Sequence, residues 1–567
     1  MFHSEARATL WTGLSALSKL LALARRRIAM ADIEVPVFIV GGSLVGLSTA
    51  MLLGYHGVRS LTVEHHRGTA IHPRAAQTSQ RTMEIFRQVG LEQIVRRKSE
   101  EQFVQDGGVL AVETLVGGVV AHFIADLNEG VRDASPTARV FLAQDALEPQ
   151  LRKRAEELGA ELRFATEMVS FEQDAHGVSA AIRERDSGKT QTVRAQYMVA
   201  ADGASSRVRE RLGIRMVGHG TFSKSITIYF RAHLAPLIEG QKWAVVYALN
   251  RQLRGFFRFE KPFERAFLAV NTVGDPENPV TDVSTGLTEQ RSLELVQAAI
   301  GTDSIPVAIE NIMRWEAAAD TAEVFQNGRV FIAGDAAHVM PPNGGFGGNT
   351  GVQDAHNLAW KLALVVKGFA GLQLLSTYGP ERRPTGAFTV EQAYARYVMR
   401  TASNMSKDEL QPIAPDLNIE MGYVYHSDAV VPEDPNDTRV HDNPRESKAR
   451  PGTRAPHVWL QRCGEQISTL DLFNRNFTLL AGPQGNAWAA AARDTAKLIG
   501  IDLDIHQFGE DGLTDPSGGC PAAYGISPTG AVLVRPDGFV AWRAKTADGA
   551  TAEHLKNTLA TILSRPS

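Results

Sequence analysis

Val35-Pro36-Val37-Phe38-Ile39-Val40-Gly41-Gly42-Ser43-Leu44-Val45-Gly46 is the stretch whose reading decides the fold. The first six residues read as a buried parallel strand, apolar on both faces. A glycine turn follows at once. Leu47, Ala50, Met51 and Gly54 then recur at i, i+3, i+4 and i+7, the packing face of a helix. Ser60-Leu61-Thr62-Val63-Glu64 is a second strand, ending in an acid 23 residues after Gly41. This is the layout of a dinucleotide-binding βαβ unit. Gly41 and Gly46 let the backbone turn tightly and approach a pyrophosphate, and the helix N-terminus turns free N–H donors toward it. Glu64 is placed to accept hydrogen bonds from ribose hydroxyls. Ser43 stands where the G-x-G-x-x-G pattern has its second glycine; it is small, and its backbone N–H remains. An ordinary turn between strand and helix accounts for the glycines but not for the acid at that distance.

Two further apolar runs end in unusual loops. Tyr197-Met198-Val199-Ala200-Ala201 leads into Asp202-Gly203-Ala204-Ser205-Ser206-Arg207-Val208-Arg209. Arg329-Val330-Phe331-Ile332-Ala333 leads into Gly334-Asp335-Ala336-Ala337-His338 and on to Pro341-Pro342-Asn343-Gly344-Gly345-Phe346-Gly347-Gly348-Asn349-Thr350-Gly351, with a helix predicted over 354–364. Ligands of open α/β sheets bind at the C-terminal ends of the strands. An acid there holds sugar-like hydroxyls, and a glycine-rich loop brings backbone donors close to a flat ring. A flexible surface loop would explain the glycines, but not the adjoining Gly-Asp and Pro-Pro.

Composition narrows the classes. The chain has 567 residues, 44% hydrophobic and 22% charged, as in globular proteins. Its net charge of −4 gives no basic excess, so nucleic acid is not an expected partner. Two cysteines, Cys463 and Cys520, form neither a metal-ligand spacing nor a disulfide framework, which fits a reducing compartment. His338 and His356 are not spaced as metal ligands with an acid partner, and no metal is assigned. No run of 18 apolar residues appears, so no membrane span is expected.

At these residues the chain resembles the FAD-dependent aromatic hydroxylases, single-component flavoprotein monooxygenases with the para-hydroxybenzoate hydroxylase fold. The glycine turn at 41–46, the Asp-Gly segment at 202–209 and the long, specific Gly-Asp segment at 334–351 carry the resemblance in order. Pro73-Arg74-Ala75 with Arg81-Thr82-Met83-Glu84, and Tyr378 with Glu381-Arg382-Arg383-Pro384, add two more matches. The similarity runs from Met30 to the C-terminus and is nearest to the subgroup with an extra C-terminal domain, which includes phenol and anthracycline-type polyketide hydroxylases.

The resemblance implies residue roles. Backbone at Gly41, Ser43, Leu44, Val45 and Gly46 would hold the FAD pyrophosphate, and Glu64 the adenosine ribose. Arg74 would contact the dinucleotide, Gln144 the FAD from the head of a helix over 145–157, and Met168 would offer backbone to the adenine. Asp335 would bind the ribityl chain. Pro342 and the Gly347-Gly348-Asn349 backbone would lie against the isoalloxazine, where N–H groups stabilise negative charge on N1–C2=O. Asp202 and Arg209 would touch both the FAD and NAD(P)H sides, or simply brace their turn. The Pro342 carbonyl is the candidate contact to substrate, and no catalytic base is identified.

The remaining chain completes the expected architecture: a Rossmann-like FAD-binding α/β domain (30–105, 140–210 and 328–425) interleaved with an antiparallel-sheet substrate domain (106–139 and 211–327), a linker or wrapping loop (426–455) and a thioredoxin-like α/β domain (456–567). Strands are predicted around Ile226–Phe230, Ala244–Ala248, Gly255–Phe259 and Ala266–Val270. Tyr229, Phe230, Trp243, Tyr247, Phe256, Phe257 and Phe259 divide between sheet core and a roof over the flavin. Arg231, Arg251, Arg254 and Arg258 are either substrate contacts or a solvated strand face. The C-terminal domain has no Cys-x-x-Cys, so a structural or homodimer-contact role is expected rather than thiol chemistry.

Residues 1–29 carry five bases against one acid, with Leu10, Trp11, Leu14, Leu17 and Leu21 at helical spacing. They read as an extension outside the fold, from a start assigned upstream of Met30, or as a mitochondrial transit segment. Without them the charge moves from −4 to −8.

The function implied is a cytoplasmic NAD(P)H- and O₂-dependent monooxygenase that hydroxylates a phenolic or polycyclic aromatic substrate through a C4a-hydroperoxyflavin. No second nucleotide motif is present, which fits NAD(P)H binding transiently in the domain groove. Baeyer–Villiger oxygen insertion on a polyketide is the alternative within the scaffold. An FAD-binding scaffold without turnover, and an NAD-dependent dehydrogenase read from the first motif alone, are the alternatives outside it.

Overall fold

The computed structural model describes residues 31–565 apart from 73–75, 403–404, 409 and 511. The expectations for residues 1–29 and for Arg74 fall outside the described residues.

The strand Ile33–Val40 lies at the middle of a parallel sheet because its apolar residues are covered on both faces. Ser60–Val63 pairs with it on one side, followed by Glu161–Arg163. Thr190–Ala200 pairs on the other, followed by Val330–Ile332. The chain thus builds outward in one direction and then returns past its first strand. The crevice between Ile33–Val40 and Thr190–Ala200 is the topological switch point, where such sheets bind ligands. The helix Leu44–Tyr55 packs between Gln144–Glu157 and Gly347–Val366. An antiparallel hairpin, Thr166–Gln173 with Val178–Glu184, pairs onto the start of Thr190–Ala200.

A second sheet has eight strands in the order His338–Val339, Ala308–Ala322, Met216–Arg231, Arg265–Val273, Leu253–Glu260, Trp243–Leu249, Gly108–Val112 and Val119–Ile124. It is antiparallel except where Gly108–Val112 runs parallel to Trp243–Leu249. The exception arises because the hairpin 108–124 enters from a distant insertion and not by a tight turn. One face, with Ile226, Ile228, Phe230, Phe257 and Leu268, is buried under the helix Glu289–Ile300. The other carries Tyr229, Phe256 and Phe267.

Near the C-terminus, Phe477–Ala481, helix Asn486–Ile499 and Leu503–Gln507 form a βαβ unit. Ala531–Val534, Val540–Ala544 and helix Ala552–Ile562 follow. The sheet order is Leu503–Gln507, Phe477–Ala481, Ala531–Val534, Val540–Ala544, with Ala531–Val534 antiparallel to its neighbours. This is the thioredoxin-type arrangement. Cys463 and Cys520 are both free thiols. Between the two parts, the chain at 426–455 hydrogen-bonds along the C-terminal edge strand: Val431 N–H donates to Ala541 O, and Val540 N–H to Thr453 O. No helix among the described residues is long and apolar enough to cross a membrane.

Candidate functional site

The glycine turn sits at the switch point, and its geometry needs its glycines. Gly41 has φ +103°, and a Cβ there would stand 2.2 Å from Ala201 O. A Cβ on Gly46 would stand 1.8 Å from Gly41 O. Gly42 N–H donates to Glu64 Oε2 at 2.7 Å, and His66 N–H to Glu64 Oε1 at 2.8 Å. The second strand's terminal acid is therefore buried and aimed at the turn. Ser43 opens the helix Leu44–Tyr55 without a side-chain cap, so the helix's first N–H donors face the crevice unshielded.

The Ser43 hydroxyl is turned elsewhere. It donates to Glu148 Oε1 at 2.5 Å, and Gln144 Nε2 donates to Ser43 Oγ at 2.8 Å and to Glu148 Oε1 at 2.6 Å. Ala70 N–H donates to the other Glu148 oxygen at 2.6 Å. Ser43 and Gln144, chosen from separate motifs, thus meet. Fully buried Glu148 joins them and was missed in the sequence; its only signal is the i+4 spacing from Gln144 on one helix. Met168 is half-buried on the strand Thr166–Gln173, whose first N–H donates to Glu64 O, just before a break in its pairing with Val178–Glu184.

Asp202 and Arg209 brace their loops. Asp202 accepts from Ser206 Oγ at 2.5 Å and from Val208 N at 3.2 Å. Burial pushes its carboxyl up in pKa, and these donors pull it back. Arg209 donates to Ala204 O at 2.9 Å and to Ala336 O at 3.1 Å, which ties the Asp-Gly loop to the Gly-Asp turn.

That turn is the short 3₁₀ segment Gly334–Ala336, on which Asp335 is exposed. Val45, from the first glycine turn, packs so closely that a Cβ on Gly334 or Gly351 would come within 2.7 or 2.5 Å of its Cγ2. Gly334 N–H donates to the buried Asp354, which also pairs with His338 Nε2 and Arg382 Nε, each at 2.7 Å. Further along, Pro342 is exposed and its carbonyl accepts from Gly345 N at 3.0 Å. Gly347–Val366 begins there, uncapped by any side chain. Its first helical bond is Thr350 N–H to Phe346 O, so Gly347, Gly348 and Asn349 carry the helix's outward N–H groups. The Asn349 side chain does separate work. Its oxygen accepts from Ser79 N at 2.9 Å and Thr82 Oγ1 at 2.7 Å; its nitrogen donates to Gln77 O at 2.9 Å and Gly345 O at 2.7 Å.

The second sheet turns an aromatic face toward this loop. Tyr229, Phe256 and Phe267 cluster with Met313 and Trp315, and Tyr247 adjoins Phe256 at 5.7 Å between ring centres. Phe230, Trp243, Phe257 and Phe259 instead pack in the opposite core. Asn343 Nδ2 reaches Tyr247 OH at 3.2 Å and so links glycine loop to sheet. His72 stacks on Tyr229 with ring centres 5.1 Å apart. Of the four arginines, Arg231 pairs with Glu310 and Arg251 is exposed. Arg254 is half-buried. Arg258 is buried between the rings of Phe103 and Phe141, and burial lowers its pKa to about 9. Among the described residues one trio could hold a metal, Glu64 with His65 and His66, and its carboxylate already accepts from Gly42 and His66.

Two glycine turns held against each other by one valine, with two uncapped helix N-termini and an aromatic sheet tied to the loop through Tyr247, offer backbone donors that suit a dinucleotide. The comparisons agree. An FAD-binding-domain family model matches residues 34–393, and a model of the aromatic-ring hydroxylase C-terminal region matches 448–566. The chain is 51% identical over 539 residues to 4-methyl-5-nitrocatechol 5-monooxygenase of a Burkholderia species, covering 94% of this chain and 98% of that protein. It is 40% identical over 562 residues to tetracenomycin A2 monooxygenase-dioxygenase of Streptomyces glaucescens, covering 95% and 98%. The crystal structure of aklavinone-11 hydroxylase with FAD and aklavinone superposes with a TM-score of 0.87 at 37% identity, over 94% of this chain and all of that one. The chain belongs to the FAD-dependent aromatic-ring hydroxylases, which are monooxygenases. FAD is its cofactor.

Proposed function

We propose that the protein hydroxylates a phenolic ring, with NAD(P)H as reductant and O₂ as oxygen source. The substrate class favoured is a small acidic phenol or catechol, with polycyclic aromatics the second reading. The observation that carries the reading is the Asn343–Tyr247 bond. It ties the glycine loop, which leads into Gly347–Asn349, to Tyr247, the neighbour of Phe256 in the aromatic cluster. The weight on small phenols comes from the nitrocatechol monooxygenase, at 51% identity against 40% for the tetracenomycin enzyme.

Bound FAD supplies the electron transfer from NAD(P)H to O₂ and the oxygen transfer to the ring. The chain's own residues bind and orient. Backbone at Gly41, Ser43, Leu44, Val45 and Gly46 holds the pyrophosphate. Glu64 holds the ribose, Gln144 orients the dinucleotide through Ser43, and Met168 flanks the adenine. Asp335 meets the ribityl chain. The N–H groups of Gly347, Gly348 and Asn349 stabilise negative charge at the pyrimidine edge of the ring. The Pro342 carbonyl accepts a substrate hydroxyl on the lone pair that Gly345 leaves free. Asp202 and Arg209 hold the two strand-end loops in register for NAD(P)H to approach. The aromatic face excludes water. The enzyme works in the cytoplasm, and its C-terminal domain serves a structural or homodimer-contact role.

The test is NAD(P)H consumption by purified, FAD-loaded protein with a panel of phenols, nitrocatechols and polycyclic quinones, with the product formed under labelled O₂. Substrate-stimulated consumption and one labelled ring hydroxyl are expected. No stimulation by any member would overturn the proposal, and label in an ester oxygen would convert it to ring insertion.

A further inference from the structure

We propose that Arg535 and Asp537, on the hairpin between the last two strands of the C-terminal sheet, are positioning residues for the flavin-binding turn Gly334–Ala336 and the helix that opens at Gly347. The appended domain is then part of the cofactor site's scaffold.

Pro536-Asp537-Gly538 turns between Ala531–Val534 and Val540–Ala544, and the side chains of Arg535, before the turn, and Asp537, within it, are fully buried. Arg535 holds Asp537 through Nε at 3.0 Å and Nη2 at 2.5 Å. It also holds Glu381 through Nη1 at 2.6 Å and Nη2 at 2.9 Å. The fork geometry of both pairs fixes direction as well as distance. Glu381 then grips the long helix Gly347–Val366 twice, through Asn357 Nδ2 at 2.6 Å and Lys361 Nζ at 2.7 Å. Asp537 grips it a third time, through Trp360 Nε1 at 3.1 Å. The backbone carbonyl of Asp537 accepts from Arg81, on the helix whose first turn Asn349 holds.

The chain's next residue carries the connection forward. Arg382 donates to Asp354 at 2.7 Å and to Thr350 O at 3.1 Å, and Asp354 fixes Gly334 N at 3.0 Å and His338 at 2.7 Å. A continuous set of directional bonds therefore runs from the C-terminal hairpin to the Gly-Asp turn and to the first turn of the helix behind it.

Stability alone is a poor reason for such a set. Taking these charges out of water is costly, and apolar replacements of similar volume commonly serve as well. Burial pushes Lys361 down to about 8 even though Glu381 opposes the shift. Burial likewise disfavours the Glu381 anion, but Arg535 and Lys361 outweigh it and hold its carboxyl far below the usual range. Ions kept at that cost, and arranged end to end, set geometry. By contrast, Arg543 and exposed Glu433 form an equally short pair at 2.7 Å between the C-terminal sheet and the 426–455 segment, and Arg543's other partners, Lys448 O and Tyr524 O, lie outside the long helix.

The test uses the full-length chain with R535M, R535K and E433Q, reading the FAD dissociation constant of the apoprotein and the visible spectrum and midpoint potential of bound flavin. R535M is expected to weaken FAD binding roughly three- to thirtyfold and to shift the flavin bands. R535K recovers part of both, and E433Q matches wild type. A folded R535M with wild-type affinity, spectrum and potential would overturn the proposal, as would an E433Q that moves them equally. If R535M does not fold, isosteric D537N decides by the same readouts: a shift supports the proposal and wild-type values overturn it.

Discussion

Oγ of Ser43 lies 2.5 Å from Oε1 of Glu148, and the Gln144 carboxamide bridges the two. The serine that stands in for the motif's second glycine is thus a bonded part of the turn. It joins the first helix of the fold to another that begins a hundred residues later.

Ser43→Ala keeps the small size that the turn requires and removes the donor to a fully buried carboxylate. A loss of about 1–3 kcal/mol in unfolding free energy is expected, the cost of a buried charged acceptor short of one partner. Urea denaturation checks it. A change below about 0.3 kcal/mol would mean that Gln144 and Ala70 satisfy Glu148 unaided.

Asn349→Asp separates the two halves of the clamp. The acceptor side toward Ser79 and Thr82 survives, while the donor side sets carboxylate oxygen against the carbonyls of Gln77 and Gly345. A loss of about 2 kcal/mol or more is expected, with faster FAD release. Thermal unfolding and FAD fluorescence recovery report the two effects separately.

Gly41→Ala meets both a left-handed backbone and the Ala201 carbonyl, whereas Gly368→Ala, at φ +75°, meets the backbone cost in open space. Gly368→Ala should cost about 1 kcal/mol, and Gly41→Ala distinctly more, with loss of FAD retention on gel filtration. Equal losses would remove the close approach as the reason for Gly41.

Acid should destabilise the protein from about pH 6.5 downward. Burial, with Lys367 and Arg475 near, pushes His56 from its ordinary 6.5 to about 3. Burial, with Arg454 near, pushes His457 to about 4. Below 6.5 the unfolded chain takes up these protons and the folded chain does not, so stability is full above that pH and falls as pH drops toward the folded values. The slope is about 1.4 kcal/mol per pH unit for each histidine. Denaturant titrations between pH 5 and 7.5 measure it, and His56→Gln should flatten the curve by about one such increment.

How legible a feature was depended on how local its cause is. The turn at 41–46 and the loop at 344–351 could be read because glycine reports a backbone demand at its own position. The thioredoxin-like character of the C-terminal domain came with the family resemblance, and the sheet order confirms it. Glu148 could not, since its partners Ser43 and Ala70 lie 105 and 78 residues away. Asn349 was legible as backbone and hidden as a clamp, because its four bonds go to loops that sequence spacing does not bring together. The parallel pairing of Gly108–Val112 with Trp243–Leu249 was hidden for the same reason: alternation in a strand shows which face is buried, not which neighbour it takes. The aromatic residues divided only once the faces were known, Tyr229 to one side and Phe230 to the other.

His338–Val339 is at once the edge strand of the eight-stranded sheet, paired with Asp320 and Thr321, and the lead into the glycine loop. Exchanging the aromatic sheet between relatives therefore moves the anchor of the glycine loop as well. A chimaera cut at position 327 separates the two halves of one ladder, while a cut beyond Gly351 carries them together. Recombination libraries built on this scaffold should place their crossovers there, and the sheet and the glycine loop should be inherited as one unit.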